Sequence, residues 1–271
     1  MRVFSSHKEL LKSIDSDKLL GLVPTMGSLH QGHLSLINRS IVENVQTIIT
    51  IYVNPTQFND KNDLNKYPRN LKNDLDKLKH FKNIFIYTPQ DKDLYKKVEP
   101  KKYDLDDLDK ILEGRHRPGH FNGVATIVEK FFRLFNPNNA YFGEKDFQQL
   151  TIIKTMVKKM SLNINIVACE TVREINGLAM SSRNSHMSKE EKQNAVMVTN
   201  IMIKARDIYN KTEVIPNSLK NEINNLKNCR LEYFEIENLS KYSGCIEDEG
   251  NRIFIAFWVG KIRVIDNIKL K

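Results

Sequence analysis

From Leu19 to Glu170, short β-branched or aromatic apolar runs alternate with amphipathic stretches of helical period, and this alternation most constrains the fold. Strands are read at LLGLV, TIITIYV, NIFIYTP, AYFG and NINIVACE, and helices at HLSLINRSIVEN, NLKNDLDKLKHF, GVATIVEKFFRLF and DFQQLTIIKTMVKKM. The strand runs lack the two-residue alternation of a sheet wetted on one face, so helices must cover both faces. The expectation is an α/β fold, a doubly wound parallel sheet that binds ligands beyond the carboxyl ends of its strands. After GLAMSSRN the pattern changes. Ser188 and Glu191 form a capping box opening a helix to about Lys211, and a second helix is read at 217–227. LEYFEIENL, RIFIAFWVG and IRVIDNIKL then read as strands. The division is placed at 1–180 and 181–271, with a hinge between Gly177 and Ser185 and the second unit acting as a lid.

Composition excludes several classes. Hydrophobic residues make up 40% of the 271, yet no run reaches membrane-spanning length, and SSHKELLKS lacks a signal-peptide core. A cytoplasmic protein with no membrane partner is expected. Cys169, Cys229 and Cys245 are widely spaced without a C-x-x-C pair, which argues against a zinc knuckle or redox motif. The net charge of +9 comes from lysines scattered among aspartates, as in NDKNDLNKYPRNLKNDLDKLKHFKN. That is a solvated surface, and without a stacked aromatic platform no nucleic-acid partner is expected.

Five stretches carry chemistry. In GLVPTMGSLHQGHLSLI a strand breaks at Pro24 and Gly27, and His30 and His33 fall in the first turn of a helix. Free N–H groups and the positive dipole end favour an anion there, such as a triphosphate. No G-x-x-x-x-G-K-[ST] or G-x-G-x-x-G occurs, so any nucleotide binds without those loops. No third ligand lies nearby for zinc. YVNPTQF puts Asn54 and Gln57, neutral amides suited to a polyol or hydroxyacid, at a strand tip. GRHRPGHFNGV gathers Arg115, His116, Arg117 and His120 in a glycine-rich loop that would hold phosphate or carboxylate. FGEKDFQQL offers Lys145 as a point charge, Asp146 as a ribose acceptor, and Gln148 and Gln149. GLAMSSRN adds two hydroxyls and a guanidinium at the hinge.

Together PTMGSLHQGHLSLI, VNPTQF with YPR, RPGHFNGVATIV, FGEKDFQQL and GLAMSSRN resemble, in order and approximate spacing, the pantothenate synthetase (pantoate–β-alanine ligase) family. That family lies among nucleotidyltransferases with an H-x-G-H signature, here His30 to His33. The resemblance is strong over about residues 20–200 and weak over the C-terminal unit. It implies a Rossmann-like domain with a smaller C-terminal α+β lid, a homodimer, ATP as co-substrate, and Mg²⁺. The implied reaction activates (R)-pantoate to pantoyl adenylate, releasing pyrophosphate; β-alanine then displaces AMP to give pantothenate.

Carried over by position, the ATP site comprises Met26, Gly27, Ser28, Leu29, His30, Gln31, Gly32 and His33. Gly143, Glu144, Lys145, Asp146, Val172, Met180, Ser181, Ser182 and Arg183 complete it. His33 is the implied proton donor, with His30, Lys145 and Arg183 also in catalytic positions. Gln57 and Gln149 would hold pantoate, Gln57 also lying where β-alanine enters, with Asn54, Arg117 and His120 in the same acid pocket. Asp74 falls where the family has an acid linked to magnesium, but its neighbour is Asn73 rather than a second carboxylate. Ser28, Gln31 and Phe147 depart from the family's usual Ala, Glu and Tyr. The nearest rival, a nucleotidyltransferase acting on a phosphorylated acceptor, would want more cations around the acceptor than Asn54, Gln57 and Gln149 supply.

Overall fold

The computed structural model describes residues 1–271. Its elements are β1 (Arg2–Phe4), α1 (His7–Leu11), β2 (Leu20–Thr25), α2 (Gln31–Glu43), β3 (Gln46–Ile51), α3 (Lys61–Lys66), α4 (Leu71–Leu78) and β4 (Ile84–Tyr87). There follow α5 (Asp91–Leu94), α6 (Leu112–His116), α7 (His120–Phe135), β5 (Asn139–Gly143), α8 (Phe147–Lys159) and β6 (Asn165–Cys169). The C-terminal unit comprises α9 (Lys189–Thr212), α10 (Asn217–Asn224), β7 (Cys229–Glu237), β8 (Arg252–Val259) and β9 (Ile262–Lys269).

The first six strands form one sheet in the order β1-β4-β3-β2-β5-β6, and every pairing is parallel. Successive residues of its strands enter opposite cores. Leu22, Ile48, Phe85 and Phe142 join one cluster with α7 and α8, while Val23, Ile49, Ile86 and Tyr141 join another with Leu36 and Ile37 of α2 and Leu78 of α4. Burial on both faces is why these runs read as continuously apolar. The fold class expected from the sequence is the one observed.

The β7-β8-β9 sheet is antiparallel and alternates as such sheets do. Ile253, Ile255, Phe257 and Val259 pack with Val198, Met202, Leu219 and Ile223 of α9 and α10, while Phe254 and Ala256 enter the core beneath α7 and α8. The Ser188–Glu191 capping box forms, with Glu191 N donating to Ser188 Oγ at 3.2 Å and Ser188 N donating to Glu191 Oε2 at 2.8 Å.

Differences from expectation lie in short elements. β1, three residues long, adds an edge strand through Val3 opposite Ile86. The helices α1, α3, α5 and α6, and the start of α7 at His120, were also not read from the sequence. α7 lies so close to the turn Pro55–Gln57 that a Cβ on Gly123 would stand 2.2 Å from the Thr56 carbonyl oxygen. Gly123→Ala should therefore cost about 1–3 kcal/mol by overpacking backbone against backbone. Urea denaturation checks this, and an unchanged midpoint would refute the close contact.

Candidate active site

β2 and β5 are neighbours at the sheet centre, and the chain leaves them toward opposite edges, β2 to β3 and β5 to β6. Such a switch point opens a crevice at the strand tips. Here it holds a cavity of about 1260 Å³, roofed by the C-terminal unit. Of the residues expected at the site, Met26, His30, Gly32, His33, Gly143, Lys145, Asp146, Val172, Met180, Ser181, Ser182 and Arg183 line it, with Asn54, Gln57, Gln149, Arg117 and His120. Gly27, Ser28, Leu29, Gln31 and Glu144 do not reach its wall, and they shape the turns behind it.

The β2–α2 turn is built backward from His30. Gly27 (φ +79°) and Ser28 (φ +51°) are both left-handed, a state that an L side chain adopts only when something holds it. That something is Asp74 of α4, 1% exposed, whose Oδ2 accepts from Ser28 N at 2.9 Å and whose Oδ1 accepts from Leu29 N at 2.7 Å. Lys77 Nζ adds a bond to the Leu29 carbonyl at 2.5 Å. Asp74, expected at a magnesium-linked position, is thus a buried carboxylate with both oxygens engaged by backbone. No group of three His, Cys, Asp or Glu side chains is placed to hold a metal ion.

His30 caps α2 in an extended conformation, and its N–H donates to His33 Nδ1 at 3.3 Å. The His33 proton therefore sits on Nε2. The two rings lie with centroids 4.0 Å apart, tilted 35° to one another. Gly32 makes room, since a Cβ there would come within 3.0 Å of the His30 ring. Burial, then Lys145, pushes His30 down to about 4. Burial and the neighbouring His30 hold His33 well below the usual imidazole range. Both rings are neutral at pH 7, and His30 Nδ1 is buried without a protein partner. They stand at a helix start whose first N–H groups are free.

The acid pocket divides into residues that face the cavity and residues that hold them. Asn54, 1% exposed, donates to Gln57 Oε1 (3.2 Å) and the Gly123 carbonyl (3.1 Å) and accepts from Tyr95 Oη (2.8 Å). Its amide is engaged inside the protein, where it orients Gln57 at the cavity wall. Gln57 Nε2 reaches Met26 Sδ at 2.9 Å, joining this pocket to the histidine turn. His120 also lines the cavity and supports the Gln57 turn. Its Nδ1 lies 2.7 Å from the Gln57 carbonyl and its Nε2 lies 3.2 Å from Arg117 Nη1. Burial and then Arg117 push it down to about 3. Gln148 and Gln149 both line the cavity, but the Gln148 amide is engaged by backbone at Leu108, Ile111 and Glu113.

Arg183 Nη2 lies 3.1 Å from Asp63 Oδ2, its guanidinium 5.6 Å over the Tyr67 ring, and Tyr67 Oη is 3.3 Å from Ser182 Oγ. The sequence reading gave Asp63 no role and quoted Tyr67 only within YPR. The C-terminal contribution was missed too. Asn267 Nδ2 donates to the Glu144 and Lys145 carbonyls at 2.9 Å each, and Arg252 lies 3.8 Å over the Phe147 ring. These contacts fix the Gly143–Asp146 turn from above.

The family profile described as pantoate-beta-alanine ligase matches residues 2–269. The chain belongs to that family. It is 44% identical to a pantothenate synthetase of Flavobacterium psychrophilum over 95% of this chain and 94% of that one. Against a pantothenate synthetase of Bacteroides fragilis it is 42% identical, covering 100% and 99%. A pantothenate synthetase structure from Thermus thermophilus superposes with TM-score 0.90 at 32% identity, covering 99% of each chain. A pantoate-beta-alanine ligase structure from Francisella tularensis, complexed with beta-gamma ATP and beta-alanine, gives 0.85 at 36% identity, covering 99% and 97%.

Buried neutral histidines make stability depend on pH. Their folded pKa lies below the unfolded 6.5, so the unfolded chain binds more protons as pH falls from 6.5 toward 4. Stability is fully present above pH 6.5 and declines below it, by up to about 1.4 kcal/mol per pH unit per histidine. His120→Gln should flatten that slope in denaturation at pH 7, 6 and 5; parallel slopes would contradict the burial.

Proposed function

We propose that this chain condenses (R)-pantoate with β-alanine using ATP, through a pantoyl adenylate, releasing pyrophosphate and then AMP. The observation that carries the reading is the arrangement of one cavity: a paired-imidazole helix start beside Lys145, with the neutral amides Gln57 and Gln149 on the same wall. A phosphate chain suits the first and a hydroxyacid the second. Family membership supports the same assignment, and the Francisella relative's complex holds both ATP and β-alanine ligands.

The chemistry asks little acid–base work of the first step. A carboxylate of pKa about 4 is already ionised at neutral pH, so it needs positioning against the α-phosphorus and relief of charge on departing pyrophosphate. His33, neutral with its proton on Nε2, offers a hydrogen bond to a phosphate oxygen, as do the free N–H groups of the first turn of α2. A bound polyanion also opposes the two effects that depress this ring, which brings the implied proton-donor role within reach. Lys145 and Arg183 supply the fixed charge; Arg183 exchanges Asp63 for phosphate. Gly143, Val172 and Met180 enclose the base, and Asp146 accepts from the ribose.

In the second step the amine must be neutral before it attacks the acyl phosphate, since an alkyl ammonium has no free pair. The adenylate must be shielded from water meanwhile. Residues 181–271 serve as the lid, with Ser181, Ser182 and Arg183 at its edge. The side chains present do not build a magnesium cage, so Mg²⁺ enters this reading only as the counter-ion of the phosphates, which hard-cation preference favours. A homodimer in the cytoplasm is carried by the family resemblance, and no helix is long and apolar enough to cross a membrane.

Pantoate-dependent exchange of labelled pyrophosphate into ATP, followed by AMP release on adding β-alanine, tests the whole reading; exchange without pantoate would refute it. His33→Ala should slow exchange by about 100-fold or more, the scale of a lost transition-state donor. Gln149→Ala should raise the KM for pantoate with little change for ATP, and equal losses for both would misplace it.

A further inference from the structure

We propose that Arg263 and Glu113 are positioning residues that set the acid-binding amide Gln57 from a distance, through Arg117 and His120, so that docking of the C-terminal unit organises the acid pocket. The inference rests on the reading of Gln57 given above. Arg263, on β9, forks onto Glu113: Nη1 to Oε2 and Nη2 to Oε1, each at 2.7 Å. Tyr233 of β7 donates to the same carboxylate at 2.7 Å. Glu113 is 6% exposed, and behind it Gln148 Oε1 accepts from its N–H at 3.0 Å, tying α6 to α8. A buried carboxylate is thus held by backbone anchoring from one unit and by two side chains from the other.

Arg117 stands 3.8 Å from Glu113 Oε2 and 3.2 Å from His120 Nε2. A guanidinium only donates, so Nε2 must present its lone pair. The neutral ring then carries its proton on Nδ1, which meets the Gln57 carbonyl, an acceptor only, at 2.7 Å. The tautomer is fixed from both ends, and with it the backbone of the turn that carries Gln57.

Removing the Glu113 charge takes from Arg117 the carboxylate 3.8 Å away and leaves the more distant Asp63 as its counter-charge. Nδ1–H still faces the Gln57 carbonyl, so the tautomer is kept, but the ring loses its fixed partner at Nε2 and its bond to Gln57 loosens. Because Arg117 feels Glu113 across 3.8 Å, the coupling is electrostatic and moderate. An interdomain ion pair that served stability alone would not single out one substrate.

The test compares wild type, Arg263→Met, Arg263→Lys and the double variant Glu113→Leu/Arg263→Met. Pantoate-dependent pyrophosphate exchange is measured alongside ¹⁵N spectra of the His120 ring. Arg263 Nε also bonds Glu232 Oε2 at 2.9 Å, so the double variant frees that partly buried carboxylate but removes the fully buried Glu113, the more damaging of the two to leave unpaired. Arg263→Met and the double variant should each raise the KM for pantoate about 10-fold, leaving kcat and the KM for ATP within about twofold, a coupling of ordinary size. Arg263→Lys should recover part of the loss, and the ¹⁵N shifts of the His120 ring should move in Arg263→Met and in the double variant as its bond to the Gln57 carbonyl loosens. Proportional rises in both KM values, a wild-type pantoate KM in the double variant, or His120 ring shifts identical to wild type would overturn the proposal. Absence of pantoate-dependent exchange in wild type would instead sink the assigned reaction, while the ring spectra still decide the relay.

Discussion

Both oxygens of the buried Asp74 carboxylate accept backbone N–H groups of the β2–α2 turn, and the rest of the site depends on that pair of bonds. A carboxylate taken out of water is costly unless it is hydrogen-bonded, and bonds to a charged acceptor are the strong kind. Here they hold Gly27 and Ser28 left-handed. That conformation lets the chain leave β2 and enter α2 within five residues, with His30 as the cap. Without it, the two imidazoles would not share the helix start.

What the turn delivers is a site poised without charge on its histidines. Two neutral rings 4.0 Å apart can both donate to a polyanion, whereas two imidazolium ions at that spacing would repel. Fixed positive charge is left to Lys145 and Arg183. The acid side shows the same economy: Asn54 and His120 spend their polar atoms on holding Gln57, which leaves Gln57 and Gln149 toward the ligand. Neutral amides accept and donate, which suits a hydroxyacid, and they offer phosphate no charge.

The sheet was legible because its strands are buried on both faces and its helices are long enough to show their period. β1 and the four- to six-residue helices α1, α3, α5 and α6 are too short for a period to emerge. In the site, the histidine pair and the strand-tip amides could be found from the motifs, since strand, turn and helix start lie adjacent in sequence. Which of Gln148 and Gln149 meets the ligand could not, because neighbouring helical residues point about 100° apart and only packing decides between them. Asp74, Asn54 and His120 stand out in the motifs, but their supporting contacts do not. Their bonds run to Leu29, Gly123 and Gln57, tens of residues away, and nothing local announces them. Asp63 and Arg263 act across units and carry no motif at all.

If Asp74 acts through its bonds to Ser28 N and Leu29 N, its role is to organise the β2–α2 turn. Titration calorimetry of a non-hydrolysable ATP analogue into wild type and Asp74→Ala, repeated over a series of Mg²⁺ concentrations, addresses it directly. A turn-organising carboxylate predicts an affinity loss of the same size at every Mg²⁺ concentration. Recovery of affinity in Asp74→Ala as Mg²⁺ is raised would contradict the account.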